Sequence, residues 1–457
     1  MSVLVRSKIS GKKELYVKGA PDMLLEKCTH IYDGGKERKI TSADKKKLLA
    51  TNNSFAEDAL RVLGLAYRKA EDLNPRGLTP KDAEKGLVFA GLVGMMDPAR
   101  KEVADSITKC NNAGIRVMVI TGDHAITAKA VAKEIGLYKE GDLVITGRDL
   151  DEMDDDELFN KIHDIRIIAR ALPIQKVRIV ETLQRHGHIV AMTGDGVNDA
   201  PAIKKADIGL AMGVTGTDVV KEVSKAILAD DNFATIVNAV EEGRNIYDKV
   251  IKSTRYLLSC NAGEILSVFT AIMIGMPLPM VPLQILMMNL VTDGLPALAL
   301  GVEPHDNDIM QRKPRNPKNH PITRNMLVLI LLFGLVMAIG TVILFKMYLS
   351  STGSLNYART VAFTALVMFE MFAVFGSRSL KAFVKLNPFS NMALVLAVAS
   401  SIGIQMLVIY LPWLQKVFET VALSLNDWIY ILLVSSAGFL VMELSKIFLR
   451  DNEGITL

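Results

Sequence analysis

Cysteine is scarce in this 457-residue chain: Cys28, Cys110 and Cys260 are its whole complement, and they lie far apart. That spacing suggests neither a disulfide framework nor a zinc site. Residues 1–20 lack the long apolar core of a cleavable signal peptide. Internal repeats and low-complexity tracts are missing as well. Charge of one sign is not in excess, since 53 lysines and arginines face 49 aspartates and glutamates for a net +4. No nucleic-acid partner is expected.

The chain is too long for a single core, so two or three domains are expected. Mean hydropathy of +0.27 averages two unlike halves. Up to about residue 245 the text is charged and mixed. Beyond it come apolar stretches of about twenty residues, each long enough to cross ~30 Å of hydrocarbon. Spans are predicted near 251–274, 282–301, 325–348, 360–376, 390–411 and 427–448, which makes the chain an integral membrane protein in contact with lipid. Basic residues fall on alternate loops: Arg312, Lys313, Arg315, Lys318 and Arg324 on one, Arg378, Lys381 and Lys385 on another. The connection GMPLPMVP carries no charge. Both ends of the chain are therefore expected in the cytosol.

From about Leu87 short apolar runs alternate with amphipathic stretches: LVFAGLVGM, IRVMVIT, IRIIAR, HIVAMT, DIGLAM and KAILA. This rhythm predicts a doubly wound α/β sheet, whose ligands sit at the carboxyl ends of the strands. Three such ends carry polar signals. Thr121, Gly122 and Asp123 follow IRVMVI, Lys176 follows IRIIARALP, and the run GDGVNDAP, with Asp195, Asn198 and Asp199, follows HIVAM. A hydroxyl and backbone amides can hold phosphoryl oxygens, a lysine can neutralise their charge, and carboxylates can hold Mg²⁺. A TGD triplet by itself is most often a turn, and a lone lysine at a helix start is most often solvated. Two glycines, two aspartates, an asparagine and a proline in that order behind a buried strand carry the reading. The pocket lacks a nucleophile.

Polar side chains inside apolar spans are costly and mark a pathway. YLLSCNAGEILSVF places Asn261 and Glu264 three apart on one helical face. LQILMMNLVTDGLPALAL places Asn289, Thr292 and Asp293 at i, i+3 and i+4, ahead of Gly294 and Pro296, which should loosen the helix and free carbonyls. Glu370 lies in VMFEMF. Oxygen ligands of this kind suit a hard cation, and Ca²⁺ better than tightly hydrated Mg²⁺. Residues 232–256 read as one long helix running into the first span, a rod that would couple the two halves.

GDGVNDAP, TGD, Asp97-Pro98-Ala99-Arg100 and Lys18-Gly19-Ala20-Pro21-Asp22 together resemble the signature set of the P-type cation-transporting ATPases, whose phosphorylation domain is haloacid-dehalogenase-like. The resemblance implies Asp195 and Asp199 at Mg²⁺, Asn198 and Asp199 supporting the metal and phosphate, and Thr121, Gly122, Asp123 and Lys176 at the phosphoryl group. It also implies Lys18, Gly19 and Arg61 in the ATP pocket. NAGE followed by NLVTDGLP is similar to the endoplasmic-reticulum-type Ca²⁺ pumps, whose two ion sites use residues matching Asn261, Glu264, Asn289, Thr292, Asp293 and Glu370.

The match reaches only the C-terminal part of such a pump. No DKTG is present to carry the phosphorylated aspartate, Asp248-Lys249-Val250 being the nearest string, and no TGE loop or first four spans occur. The expected domains are 1–96, part of a nucleotide-binding domain; 97–232, a phosphorylation domain without its first strand; and 233–457, a stalk and six-helix membrane domain. By itself the chain is expected to be inactive, with the N-terminal portion of the pump as its partner and the plasma membrane as its place in a prokaryote. The other readings are a membrane-anchored phosphatase, which would need its own nucleophilic aspartate, and a non-catalytic regulator of a full-length pump.

Overall fold

Alternating polar and apolar residues at the start of the chain build a mixed sheet. Strands β1 (Ser2–Arg6), β2 (Lys13–Gly19), β3 (Cys28–Asp33), β4 (Lys36–Lys39), β5 (Arg61–Lys69) and β6 (Leu87–Met95) lie in the order β1-β2-β5-β6-β3-β4. Every pairing is antiparallel except β3 with β6. Leu15, Val17, Leu24, Leu25, Leu87 and Phe89 form its core, each worth roughly 1.5–3 kcal/mol on burial. Gly64 lets the helix Pro21–Lys27 close onto β5, since a Cβ there would stand 3.3 Å from the Pro21 Cα. The computed structural model describes residues 1–6, 11–57, 60–71, 83–95, 99–306, 308–379 and 387–448.

LVFAGLVGM does not open the parallel sheet as its apolar run suggests; it is β6, laid antiparallel along β5 from Arg61 opposite Met95 to Tyr67 opposite Val88. Long complementary strands close in sequence satisfy their backbone groups in this way without a crossover. The parallel part comes as two three-stranded sheets. One orders β7 (Val119–Ile120), β9 (Ile165–Ala169) and β8 (Leu143–Thr146) as β7-β9-β8; the other orders β10 (Ala191–Gly194), β11 (Ile208–Met212) and β12 (Ala226–Leu228) in sequence. The run IRVMVIT supplies only the two residues of β7, and β8 was not among the expected strands. Central β9 is the hydrophobic axis, with Ile165, Ile167, Ile168 and Ala169 fully buried. After it, the helix Pro173–Arg185 packs on the helix Ala200–Lys205 that follows β10, through Lys205 and Glu181 at 2.7 Å and the Gln184 amide donating to the Lys205 carbonyl at 3.1 Å.

The chain divides into two units, Met1–Asn238 and Ala239–Leu457. Among the described residues, six helices are long and apolar enough to cross a membrane: Phe233–Met273, Pro282–Leu300, Arg324–Thr352, Leu355–Ser377, Met392–Tyr410 and Leu425–Lys446. They agree with the six expected spans to within a few residues, apart from the first. That one is a single 41-residue helix that contains almost all of the expected rod. Small residues bring these helices close: a Cβ on Gly263 would stand 2.3 Å from the Met337 sulfur, and one on Gly334 would stand 3.1 Å from the Gly263 nitrogen. The fourth span is the axis of the bundle, with Phe363 and Phe369 fully buried.

Asp248, in the string nearest to DKTG, sits within the first helix and is held by Arg312 at 2.8 Å and Arg315 at 3.3 Å. These two arginines come from the basic loop between the second and third spans. The carboxylate is thus committed to two cations and is not a free nucleophile.

Candidate functional site

In the first unit the polar ends of β7, β9 and β10 converge. The Thr121 amide donates to the Ile168 carbonyl at 2.9 Å, continuing the β7 to β9 ladder into the TGD turn. There the Thr121 hydroxyl donates to Asp123 at 3.2 Å and accepts from the Asp123 amide at 3.0 Å. Lys176, on the first turn of the helix after β9, reaches across to Asp199 at 2.5 Å. Asp199 is buried, and its second oxygen accepts from the Gly196 amide at 3.4 Å. Asp195 is exposed, and its carboxylate has no hydrogen-bond or ion-pair partner among the described residues. Its backbone carbonyl accepts from the Thr217 amide at 2.9 Å, which ties the turn to the chain after β11.

The chemistry of this donor set, two aspartates beside a lysine, fits Mg²⁺. Asp195 offers a free, solvent-facing carboxylate, whereas Asp199 already serves Lys176. Bound there, Mg²⁺ would supply charge neutralisation for phosphoryl oxygens. Asp199 orients the ammonium of Lys176. Gly194 is demanded by close approach: a Cβ there would lie 2.5 Å from the Asp199 Cβ. Gly194→Ala should therefore cost about 1–3 kcal/mol by overpacking, read as a lower midpoint in chemical unfolding.

Two groups of this unit escaped the sequence reading. Arg170, in the left-handed region at φ 52°, ion-pairs with Asp22 of the KGAPD stretch at 3.1 Å. Burial raises the Asp22 carboxyl, but the hydrogen bond and charge of Arg170 together with backbone N–H donors outweigh it, and the net shift is downward. His124 caps the helix Ala125–Glu134 by accepting from the Ile126 amide at 3.3 Å. Burial, then Arg170, hold its imidazole below the ordinary value, consistent with a neutral acceptor. Lys18 and Gly19 end β2 opposite Leu65 and Gly64 of β5. Arg61 starts β5, and its side chain lies outside the described residues, as do Asp97 and Pro98. Burial raises the Cys28 thiol to about 11, which keeps it protonated at neutral pH.

In the second unit three carboxylates of the membrane helices meet. Glu264, Asp293 and Glu370 are all buried, and each offers an oxygen within 4.8 Å of the other two. One oxygen of each is satisfied: Glu264 by the Asn289 amide at 3.0 Å, Asp293 by the Tyr256 hydroxyl at 2.9 Å, Glu370 by the Thr292 hydroxyl at 3.1 Å. The other oxygens, Glu264 Oε1, Asp293 Oδ2 and Glu370 Oε1, are buried without a partner. Three like charges this close, out of water, repel one another unless a cation or protons neutralise them.

The second span is broken where this set needs it. An α-helix over Pro282–Met287 gives way to a π-helical turn over Met288–Thr292 and resumes over Gly294–Leu300. The Asp293 amide donates to the Met288 carbonyl at 2.9 Å, five residues back. The extra residue in the turn re-aims Thr292 and Asp293 inward, and Pro296 has no N–H to give the Thr292 carbonyl. Asn261 stands apart: its amide donates to the Leu257 carbonyl of its own helix at 2.8 Å. Tyr256 was not foreseen, though it shares a face with Cys260 and Glu264 at i, i+4 and i+8.

Two family models match this chain. The model described as cation transporting ATPase, C-terminus, covers residues 277–448, and the one described as P-type ATPase, cytoplasmic domain N, covers residues 1–102. The chain belongs to the P-type cation ATPases. A calcium-transporting ATPase of Bacillus subtilis (strain 168) is 44% identical over 439 residues, covering 95% of this chain and 49% of that protein. The endoplasmic reticulum-type calcium-transporting ATPase 4 of Arabidopsis thaliana is 37% identical over 532 residues, covering 99% and 50%. The calcium-transporting ATPase type 2C member 1 of Bos taurus is 37% identical over 442 residues, covering 96% and 45%. This P-type ATPase chain spans about half the length of the curated relatives it matches. Asp293 and Glu370 lie within the stretch matched by the first model, and Lys18, Gly19 and Arg61 within that matched by the second.

Proposed function

We propose that this chain is the portion of an ATP-driven Ca²⁺ pump that holds the transported ion and most of the phosphoryl-transfer pocket. The aspartate that takes the phosphoryl group comes from another segment, the N-terminal portion of the pump. The observation that carries the reading is the trio Glu264, Asp293 and Glu370, each with one buried oxygen left without a partner. Oxygens from two glutamates, an aspartate and a threonine hydroxyl make up the set and favour Ca²⁺ over a transition metal, although the buried Cys260 thiol lies beside Asp293. Asn289 and Thr292 hold two of the carboxylates and complete the ligand set, with Asn261 one turn before Glu264. Glu264 and Thr292 together place the pump with the endoplasmic-reticulum type, following the resemblance of NAGE and NLVTDGLP.

The cytosolic pocket supports the same reading. Thr121, Gly122, Asp123, Lys176, Asn198 and Asp199 serve the phosphoryl group, Asp195 holds Mg²⁺, and Lys18, Gly19 and Arg61 serve ATP. Among the described residues, edge strands β7 and β10 each pair on one side only. A parallel strand between them would join the two half-sheets and put an aspartate at its carboxyl end beside Lys176. The domain limits remain 1–96, 97–232 and 233–457, with both ends cytosolic and, in a prokaryote, the plasma membrane as the site of action.

Purified in lipid nanodiscs, the chain should bind ⁴⁵Ca²⁺ saturably, and a molar excess of Mg²⁺ should not displace it. Absence of saturable binding up to millimolar Ca²⁺ rejects the proposal. A non-catalytic partner of a full-length pump is the second reading; it predicts pull-down of an intact pump without any effect on phosphorylation.

A further inference from the structure

Three of the seven histidines in the chain meet on the surface of the first unit, away from the pocket described above. His163 lies between the helix Asp155–Lys161 and β9; His186 caps the helix Pro173–Arg185, and His188 follows it. Gly187, at φ 81°, turns the chain back so that both flanking rings stay near His163.

His186 is held on two sides. Its ring stacks on Phe159 with centroids 3.7 Å apart and planes 9° from parallel. Its Nε2 stands 2.8 Å from the Phe159 carbonyl. A carbonyl only accepts, so Nε2 carries the proton and Nδ1 presents a lone pair. That Nδ1 faces the Nε2 of His163 at 3.3 Å. Two imidazole nitrogens bound to one tetrahedral Zn²⁺ at 2.0–2.1 Å stand about 3.3–3.4 Å apart. The His188 ring centre is 5.2 Å from that of His163 and 6.2 Å from that of His186, so its ring must turn toward them to join the set. The geometry points to a binding site for a divalent transition metal ion of the zinc class, formed by His163 Nε2, His186 Nδ1 and a rotated His188, with water as the fourth ligand.

The surroundings suit it. A ligating histidine commonly donates its other N–H to a carbonyl, which fixes the tautomer, as Phe159 does here. Imidazole ligands choose Zn²⁺, Co²⁺, Ni²⁺ or Cu²⁺ over Ca²⁺ and Mg²⁺. The site is thus chemically separate from the all-oxygen set in the membrane.

Co²⁺ is the probe for the test. The full chain, purified on a tag without histidine, should bind one equivalent at micromolar concentration with the intense visible absorption of tetrahedral cobalt. Zn²⁺ should displace it, and excess Ca²⁺ should not. His163→Gln and His188→Gln, both at exposed positions, should each weaken binding by about tenfold or more, while Glu370→Gln should leave it unchanged. The site is rejected if the wild type gives no tetrahedral spectrum, or if the spectrum survives both glutamine substitutions combined.

Discussion

Asp293→Asn should weaken Ca²⁺ binding by about a hundredfold or more, roughly 2.7 kcal/mol, while making the ion-free protein harder to unfold. The two effects have opposite signs because they come from the same charge. Asp293 is completely buried, one oxygen accepts from Tyr256, and the other has no partner. The asparagine keeps an acceptor for the Tyr256 hydroxyl and nearly the same volume. It removes one of three negative charges clustered within 4.8 Å. A bound cation loses a third of its counter-charge, and the empty site loses repulsion that nothing else relieves. Tyr256→Phe is the counter-test. It leaves the carboxylate charged but strips its donor, so the ion-free protein should lose about 1–3 kcal/mol with Ca²⁺ affinity far less affected than in Asp293→Asn. Equilibrium ⁴⁵Ca²⁺ binding and thermal unfolding in nanodiscs, with and without chelator, read both quantities. Equal destabilisation by both substitutions, with calcium affinity intact, would make Asp293 a packing residue and no ligand.

Much of this could be read in the sequence, and the reason is physical. A span announces itself because lipid tolerates no exposed backbone, so about twenty apolar residues can do little else. The carboxylates were legible for the same reason turned round, since charge in such a span is costly enough to need a purpose. GDGVNDAP was legible because Gly194 sits where no side chain fits beside Asp199. Partnerships were not legible. Nothing in the text says that Asp199 spends both oxygens, on Lys176 and the Gly196 amide, while Asp195 keeps its carboxylate free. Nor does the text reveal that Asn261 turns back onto its own helix, or that Tyr256 reaches Asp293 from a different span. Local periodicity fixes which face a residue occupies, and tertiary packing decides which neighbour it meets there. The misplaced strand LVFAGLVGM follows the same rule: a continuous apolar run says buried, and only the partner strand β5 decides in which sheet.

The pairing of Lys176 with Asp199 makes the second large prediction. By itself the chain should form no acid-stable phosphoenzyme from labelled ATP, because Asp248 is bound by two arginines and Asp199, the aspartate beside Lys176, is buried with its oxygens taken by Lys176 and the Gly196 amide. Co-produced with a polypeptide that supplies a central strand ending in an aspartate, it should form one. In that complex Lys176→Ala should slow phosphorylation by about 10²–10³-fold, the scale of losing one preorganised electrostatic contact to a developing charge. Asp199→Ala should cost nearly as much, since it frees Lys176 from the only charged side chain among the described residues that fixes its direction. The double substitution should then cost little more than either single one. Groups that act as a unit are strongly non-additive, and groups with independent roles are not. Losses that multiply would mean Asp199 works directly on metal or phosphate, and that its bond to Lys176 belongs only to the ligand-free state. Phosphoenzyme in the chain without its complement would mean that a nucleophile lies within this sequence after all.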